Sequence, residues 1–377
     1  MTGSAGDGSA FKFTSSGAFR RDIDHRVNEL LADKRLVRRA YRLLWAKAFL
    51  VVLWVAVSYG VLVFVAGDMV EALAASVSLG LATAGIGFTI MHDANHRAFA
   101  PSRRVNQLMA LSLDLIGGSS YVWSAKHLAH HTYPNMTDYD PDIESLPFAR
   151  FDPAQQRRWW HRYQHLYIWV LYALVTIRWQ FATDFQFLRR GRAGRSRLRR
   201  PNGAALATLL AGKGVFCVWA FAIPLLFHPA LAVLEVFLVT SCVASLSLTL
   251  VFQLSHCVAE TVFVDPTHDV TARSWQVHQV ETTVDFARHN RLLRLYVGGL
   301  NFQIEHHLFS RLPHTLYPRI APIVETAARA HGISYTCQPT LRAALRSHAR
   351  WLKEMGSAVP SHAPAPTPRG DVASEPG

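Results

Sequence analysis

Cysteine is scarce in this chain: four among 377 residues, Cys217, Cys242, Cys257 and Cys337. None stands in a C-x-x-C spacing and no small secreted scaffold surrounds them, so all four read as unpaired thiols rather than as a disulfide framework. Residues 1–10 are rich in Gly and Ser and lack the short apolar stretch of a signal peptide, which reads as a disordered lead. No internal repeat of fixed period is present. Acidic residues are also few, 26 against 39 Lys and Arg, which leaves a formal charge of +13. That excess is not accompanied by a nucleic-acid motif or by a basic patch interleaved with aromatics, so nucleic acid is not an expected partner.

The basic residues have a different pattern. Arg20, Arg21, Arg26, Lys34, Arg35, Arg38, Arg39 and Arg42 precede the first apolar run, and Arg189, Arg190, Arg192, Arg195, Arg197, Arg199 and Arg200 crowd one connecting segment. Such flanking follows the positive-inside rule of membrane proteins. Residues 48–66 and 72–91 are uncharged, and each is long enough to cross a hydrocarbon core of about 30 Å as a helix. The connection between them carries Asp68 and Glu71 but no cation. A second pair follows at 204–227 and 229–252; Lys213 lies inside its first member, Pro224 is expected to kink it, and Glu235 sits near the outer end of the second. Two intermediate stretches resist assignment: the first, 108–118, is too short to span, and whether the second, 166–177, crosses the membrane stays open. Residues 108–118 contain Asp114, and residues 166–177, rich in Tyr and Trp, suit an interfacial or re-entrant helix. With a cytoplasmic N-terminus, each pair returns the chain to the cytoplasm, first just before His92 and then just before His256.

Those two positions matter because eight histidines fall in four clusters: His92-Asp-Ala-Asn-His96, His127-Leu-Ala-His130-His131, the isolated His256, and Gln303-Ile-Glu-His306-His307. Helical positions i, i+3 and i+4 share a face, so each cluster can aim its imidazoles together. Neutral imidazole is the commonest nitrogen ligand for first-row metals, and eight exceed what a single four-coordinate zinc uses. The triple His127, His130, His131 points most sharply to a metal, since unpaired imidazoles are costly to bury. Taken alone, His92 with His96 reads equally as a pair of helix-end histidines, His306 with His307 is weak until Gln303 repeats the spacing, and His256 is a candidate only because it emerges beside the others. The expectation is a two-metal centre at a membrane surface.

The motifs HDANH, HLAHH and QIEHH, in that order, resemble the three histidine boxes of the membrane fatty acid desaturases. The surroundings are similar too: His131-Thr-Tyr-Pro-Asn135, Asp138-Tyr-Asp-Pro-Asp142, and Asn301-Phe-Gln-Ile-Glu-His-His-Leu-Phe309. The resemblance runs from about Ala40 to Arg350. A leading Gln in the third box is similar to the linoleoyl-CoA-type and front-end branch, whose fused cytochrome b5 motif His-Pro-Gly-Gly does not occur in this sequence.

The resemblance implies an all-α integral membrane protein with about four transmembrane helices in two hairpins and a cytoplasmic helical cap carrying a di-iron site. Its two irons would be held by His92, His96, His127, His130, His131, His256, His306 and His307, with Gln303 as a weak or water-mediated ligand or a group that orients one. Asp93, Asp138, Asp140, Asp142 and Glu305 are candidates to orient ligand N–H groups. The implied reaction takes O2 and electrons from an external donor (ferredoxin, cytochrome b5 or a reductase) and places a cis double bond in a fatty acyl-CoA or acyl lipid. Trp123, Tyr121, Trp275 and Phe302 are candidate lining for the acyl chain, with ordinary packing the default. Arg288, Arg291 and Arg294 are candidates for gripping a headgroup or coenzyme A, against a plain solvated role.

Three regions are expected: a partly disordered cytoplasmic segment 1–40, a membrane domain 41–350, and a disordered Pro/Ala-rich tail 351–377. Both termini and the site would be cytoplasmic. Two rivals stay open on histidine spacing: a membrane di-iron hydroxylase or ketolase, and a metal-transport protein, whose ligands belong in mid-membrane rather than at span ends.

Overall fold

Two acidic residues set the first two long helices. Asp33 ends α1 (Ala18–Ala32) and caps α2 (Lys34–Phe64), its carboxylate accepting the Arg35 and Leu36 N–H groups at 2.8 and 3.1 Å. Asp68 caps the next helix, α3 (Met69–Asn95), in the same way through Glu71 N–H at 2.9 Å, while Glu71 reaches back to Gly67 N–H at 2.8 Å. The anions between the first two apolar runs are therefore helix caps. The computed structural model describes residues 11–15, 17–145, 147–267 and 273–357. The expected disordered lead, 1–10, lies outside the described residues, as does most of the expected tail.

Among the described residues four helices are long and apolar enough to cross a membrane: α2, α3 (Met69–Asn95), α8 (Gly203–Leu225) and α9 (Ala230–His256). They contain the four apolar runs of the sequence almost completely and extend beyond them. α2 starts with the basic residues that precede its apolar stretch. α2 and α3 run antiparallel, tied where Trp54 Nε1 and Ser58 Oγ meet Ser78 Oγ at 2.9 and 2.8 Å. α3 and α9 come closer still. At Gly80 an added Cβ would stand 2.6 Å from the Thr240 carbonyl, so only glycine permits this crossing.

The two irregular positions of α8 are both accommodated. The helix widens into a π-turn, Val218–Ala222, immediately before Pro224, which absorbs the ring there. Lys213 turns inward. Its ammonium donates to the Gly117 and Gln180 carbonyls at 2.6 and 2.8 Å and to Asp184 Oδ2 at 2.8 Å.

Residues 166–177 fall in α6 (Gln164–Arg178), which continues through a second π-turn, Trp179–Thr183, into α7 (Asp184–Arg190). One stripe, Ile168, Tyr172, Thr176, Gln180 and Asp184, is buried, and Ser245 of α9 bridges Thr176 N–H and the Tyr172 carbonyl at 2.8 and 2.6 Å. The opposite stripe exposes Leu166, Val170, Leu174, Phe181 and Phe185. The helix is two-faced and is not among the four candidate spans.

At the end of the spans that carries the histidines, shorter helices form a cap: α4 (Arg103–Ala110), α5 (Ser120–Thr132), α10 (Trp275–Glu281), α11 (Arg291–Tyr296), α12 (Gln303–Leu308), α13 (Tyr317–Ala330) and α14 (Leu341–Gly356). The only strands among the described residues are two-residue pairs, Arg192–Ala193 with Ser196–Arg197 and Asp285–Phe286 with Cys337–Gln338. Two expected boundaries shift. Phe19, Ile23, Val27 and Ala40 share a core with Ile320, Val324 and Ala327 of α13, so much of segment 1–40 is built into the cap. α14 passes position 350 and runs to Gly356, with Trp351, Leu352 and Met355 buried and Trp351 Nε1 donating to the Phe151 carbonyl at 2.9 Å. Apolar contacts at those three side chains make residues 351–356 part of the fold rather than of a tail. The four cysteines are all free thiols.

Candidate metal centre

The end of α3 is wound differently from the rest of it. A π-turn, Gly87–Met91, is wholly buried and lies directly before His92. Such a turn inserts an extra residue and re-aims the side chains beyond it. It is locked from outside by Gly298, whose φ of +63° and approach to the Phe88 carbonyl leave no room for a Cβ. His92 and His96 leave this end with ring centroids 4.9 Å apart. α5 brings His127, His130 and His131, α12 brings Gln303, His306 and His307, and His256 is the last residue of α9. All eight histidines thus meet at one end of the bundle.

They do not form one cluster. His92, His96, His127 and His306 place ligand atoms within 4.8 Å of one another, and His130, His256 and His307 do so separately. Adjacent residues on a helix point about 100° apart, so the pairs His130–His131 and His306–His307 straddle two sites. His131 sits between them: its Nε2 lies 3.1 Å from His127 Nε2 and 2.9 Å from His306 Nε2, and its ring stacks on His307 at 4.1 Å. Gln303 lies beside the second group, its amide nitrogen 3.0 Å from His256 Nε2 and its Oε1 without a partner among the described residues.

The chemistry of these contacts fits bound cations. His96, His127, His131 and His306 are linked in series through Nε2 atoms 2.8, 3.1 and 2.9 Å apart. Donors about 2.0–2.1 Å from a first-row ion and at right angles to one another stand about 3 Å apart, so a cation would engage every one of those lone pairs. In the second group His130 Nε2 and His307 Nε2 are buried and unpartnered among the described residues. Burial, reinforced by neighbouring imidazoles, holds His96, His127, His131, His306 and His307 well below the ordinary range, so these rings are neutral and offer lone pairs.

The far side of several rings is anchored. His130 Nδ1 lies 3.0 and 2.9 Å from the two oxygens of Asp140, a fully buried carboxylate that also accepts the Asn135 and Asp142 N–H groups at 2.9 Å. An ionised carboxylate only accepts, so the hydrogen is on Nδ1 and Nε2 keeps its lone pair. Burial opposes charge on His130, yet the Asp140 carboxylate overrides it and raises the ring's affinity for a proton. His307 Nδ1 donates to Gln279 Oε1 at 2.7 Å, and His306 Nδ1 to Tyr317 Oη at 3.2 Å.

Of the five acidic candidates, then, only Asp140 directly orients a box histidine at hydrogen-bond distance. Asp142 pairs with Lys126 and stays 3.9 Å from His130. Asp93 receives His314 Nδ1 at 2.8 Å, and His314 Nε2 meets Lys47 at 3.1 Å. Asp138 is exposed beside Arg195, and Glu305 turns away to accept from Tyr335 at 2.9 Å. Gln279, Tyr317 and His314 carried no signal in the sequence, since each reaches the site only through tertiary packing. Trp123 stacks on His127 at 4.1 Å, whereas Phe302 is core and Tyr121 donates to the Arg199 carbonyl. Arg288 is committed to Glu325 at 2.7 Å and to Tyr335 at 3.0 Å, while Arg291 is exposed.

Known proteins resemble this chain along most of its length. Residues 69–339 match the family model described as fatty acid desaturase. The chain is 34% identical to an sn-1 linoleoyl-lipid 6-desaturase of Arthrospira platensis over 91% of this chain and 94% of that protein. It is 30% identical to an sn-1 linoleoyl-lipid 6-desaturase of Synechocystis sp., covering 92% and 98%. An acyl-lipid (8-3)-desaturase of Physcomitrium patens is 32% identical over 79% of this chain and 63% of its own.

Proposed function

The chain belongs to the fatty acid desaturase family, an oxidoreductase of the membrane that desaturates fatty acyl chains, and we propose that its two histidine groups hold two iron ions. His92, His96, His127 and His306 form one group and His130, His256 and His307 the other, with His131 between them and Gln303 beside His256. When bound, the iron pair supplies the O2-dependent oxidation of an unactivated methylene, which no side-chain acid or base achieves. The observation that carries this reading is the division of the clustered imidazoles into two sets of ligand spacing. As placed, the Gln303 amide nitrogen donates to His256 Nε2, and turning the amide would instead present Oε1 there as a weak oxygen ligand.

The protein's own part is positioning. Asp140, Gln279 and Tyr317 hold His130, His307 and His306 by their Nδ1 hydrogens and keep the opposite nitrogens turned inward. Trp123 and Phe252 flank His127 and His256 by stacking and keep water from those rings. The names of the relatives support an acyl lipid as the carrier. The electron donor is an external protein of the ferredoxin, cytochrome b5 or reductase kind.

The four candidate spans form two hairpins with both termini and the cap on the cytoplasmic side, a reading supported by the basic residues before α2 and before α8. By domain, residues 41–356 are the desaturase unit, with part of 1–40 docked on it. A host expressing the wild type is expected to gain an unsaturated fatty acid that His130→Ala does not produce. A hydroxylated product instead would return the hydroxylase reading.

A further inference from the structure

The four candidate spans enclose a cavity of about 250 Å³, remote from the histidines, with its rim at Asp68 and His228. Leu79, Val236, Phe216 and Phe237 give it an apolar wall. Tyr59, Trp219 and Thr240 also line it but donate to backbone carbonyls, and three other polar groups interrupt the wall. Gln180, in the π-turn after α6, is only 5% exposed, and its Oε1 has no hydrogen-bond partner among the described residues. Its Nε2 donates to the Ile116 carbonyl at 3.2 Å, so the amide is held from one side and open on the other. Thr83 of α3 and Ser241 of α9 are buried and line the same cavity.

These features select an occupant. A plain hydrocarbon tail would cover the Gln180 carbonyl without a donor, at a cost of about 1–3 kcal/mol. Water alone would satisfy the polar groups but not the apolar wall, and apolar cavities stay dry. A charged head placed beside Gln180 has no free counter-ion there, because Lys213 and Asp184 pair with each other at 2.8 Å and the Asp68 carboxylate, at the rim, caps α3. The volume falls below the roughly 300–1,000 Å³ of drug-sized pockets, which suits one slim chain and not two.

We propose that this cavity binds a single-chain, uncharged long-chain alcohol, with its hydroxyl donating to Gln180 Oε1 near Thr83 and Ser241 and its chain directed toward the rim. The site is separate from the desaturation centre, and occupancy does not require metal.

The test uses the full chain in phosphatidylcholine nanodiscs, photolabelled with hexadecanol carrying a diazirine on its chain, with the labelled peptides mapped by mass spectrometry. Label is expected on cavity residues such as Val236 and Phe237, displaced by dodecanol and not by dodecane. Gln180→Leu is expected to reduce that label about fivefold, the equivalent of one hydrogen bond. Ser241→Phe, which fills the space, should abolish it, and the near-isosteric Thr83→Val provides a variant that keeps the packing if Gln180→Leu fails to fold. Equal displacement by dodecane, label confined to lipid-facing positions such as Leu234 and Leu238, or label unchanged in these variants would overturn the proposal. Because the label is read in metal-free protein as well, its loss is distinguishable from a failure of the iron assignment.

Discussion

His306 and His307 are chain neighbours whose ring planes stand 86° apart with centroids separated by 5.5 Å. One joins His92, His96 and His127, the other His130 and His256. Single replacements should therefore have separable consequences. His306→Ala and His307→Ala are each expected to retain about half of the wild-type iron, with product formation lost in both. Metal analysis of the purified variants checks this, and complete metal loss from either one would mean that the two groups act as a single site.

The groups behind the ligands should matter nearly as much as the ligands. Asp140→Asn puts an amide N–H where His130 needs an acceptor, and Gln279→Leu removes the acceptor of His307. Each is expected to lower metal affinity or turnover by about 10–100-fold. Asp138→Asn, at an exposed carboxylate, should leave both near wild type. Iron titration with product assay separates the three, and a wild-type Asp140→Asn would remove Asp140 from the site.

Lys213 ties two backbone segments, at Gly117 and at Gln180, to the Asp184 carboxylate, so Lys213→Met should cost about 3–5 kcal/mol by leaving a buried charge unpaired. Burial already lifts Asp184 to about 6 against the opposing pull of Lys213, and without that cation it moves further up. The deficit should shrink at pH 5, where the carboxyl takes up a proton, and should be partly recovered in Lys213→Met with Asp184→Leu. Thermal unfolding in detergent at pH 5 and pH 8 is the measurement. A deficit that grows on acidification would contradict the pairing.

His348 gives a second pH effect. Its Nδ1 donates to the Cys257 carbonyl at 2.6 Å, and its Nε2 accepts from Tyr172 at 2.9 Å, an arrangement that needs the neutral ring. Burial depresses it to about 4, against about 6.5 in the unfolded chain. The folded state then binds fewer protons, so its contribution is complete above about pH 6.5 and drains away as pH falls toward 4, by about 2–4 kcal/mol in all. His348→Gln cannot titrate, so its Tm should fall less steeply than the wild type over that window. Parallel Tm curves would show that the ring is not held neutral.

The range of each interaction decides how legible it was in the sequence. The spacing of His127, His130 and His131 is fixed by one turn of helix, so local geometry reveals it. The division of His130 from His131 depends on α9 and α12 arriving on different sides, which no spacing shows. All five carboxylates near the boxes had the right residue type and neighbourhood, yet only Asp140 sits in the turn that faces a ligand. Gln279 looks like any polar helix residue until α10 lies against α12. The apolar runs identified the candidate spans, but the inward turn of Lys213 required its partner at Asp184 in α7. The run of α14 past 350 to Gly356 rests on Trp351 filling a site formed by Phe151 and Phe263, two distant loops.

The contact between His131 and His306 joins residues 175 positions apart. Neither histidine group is complete without α12, which supplies His306 to one and His307 to the other, so assembly of the full constellation is a long-range event that follows synthesis of all four candidate spans.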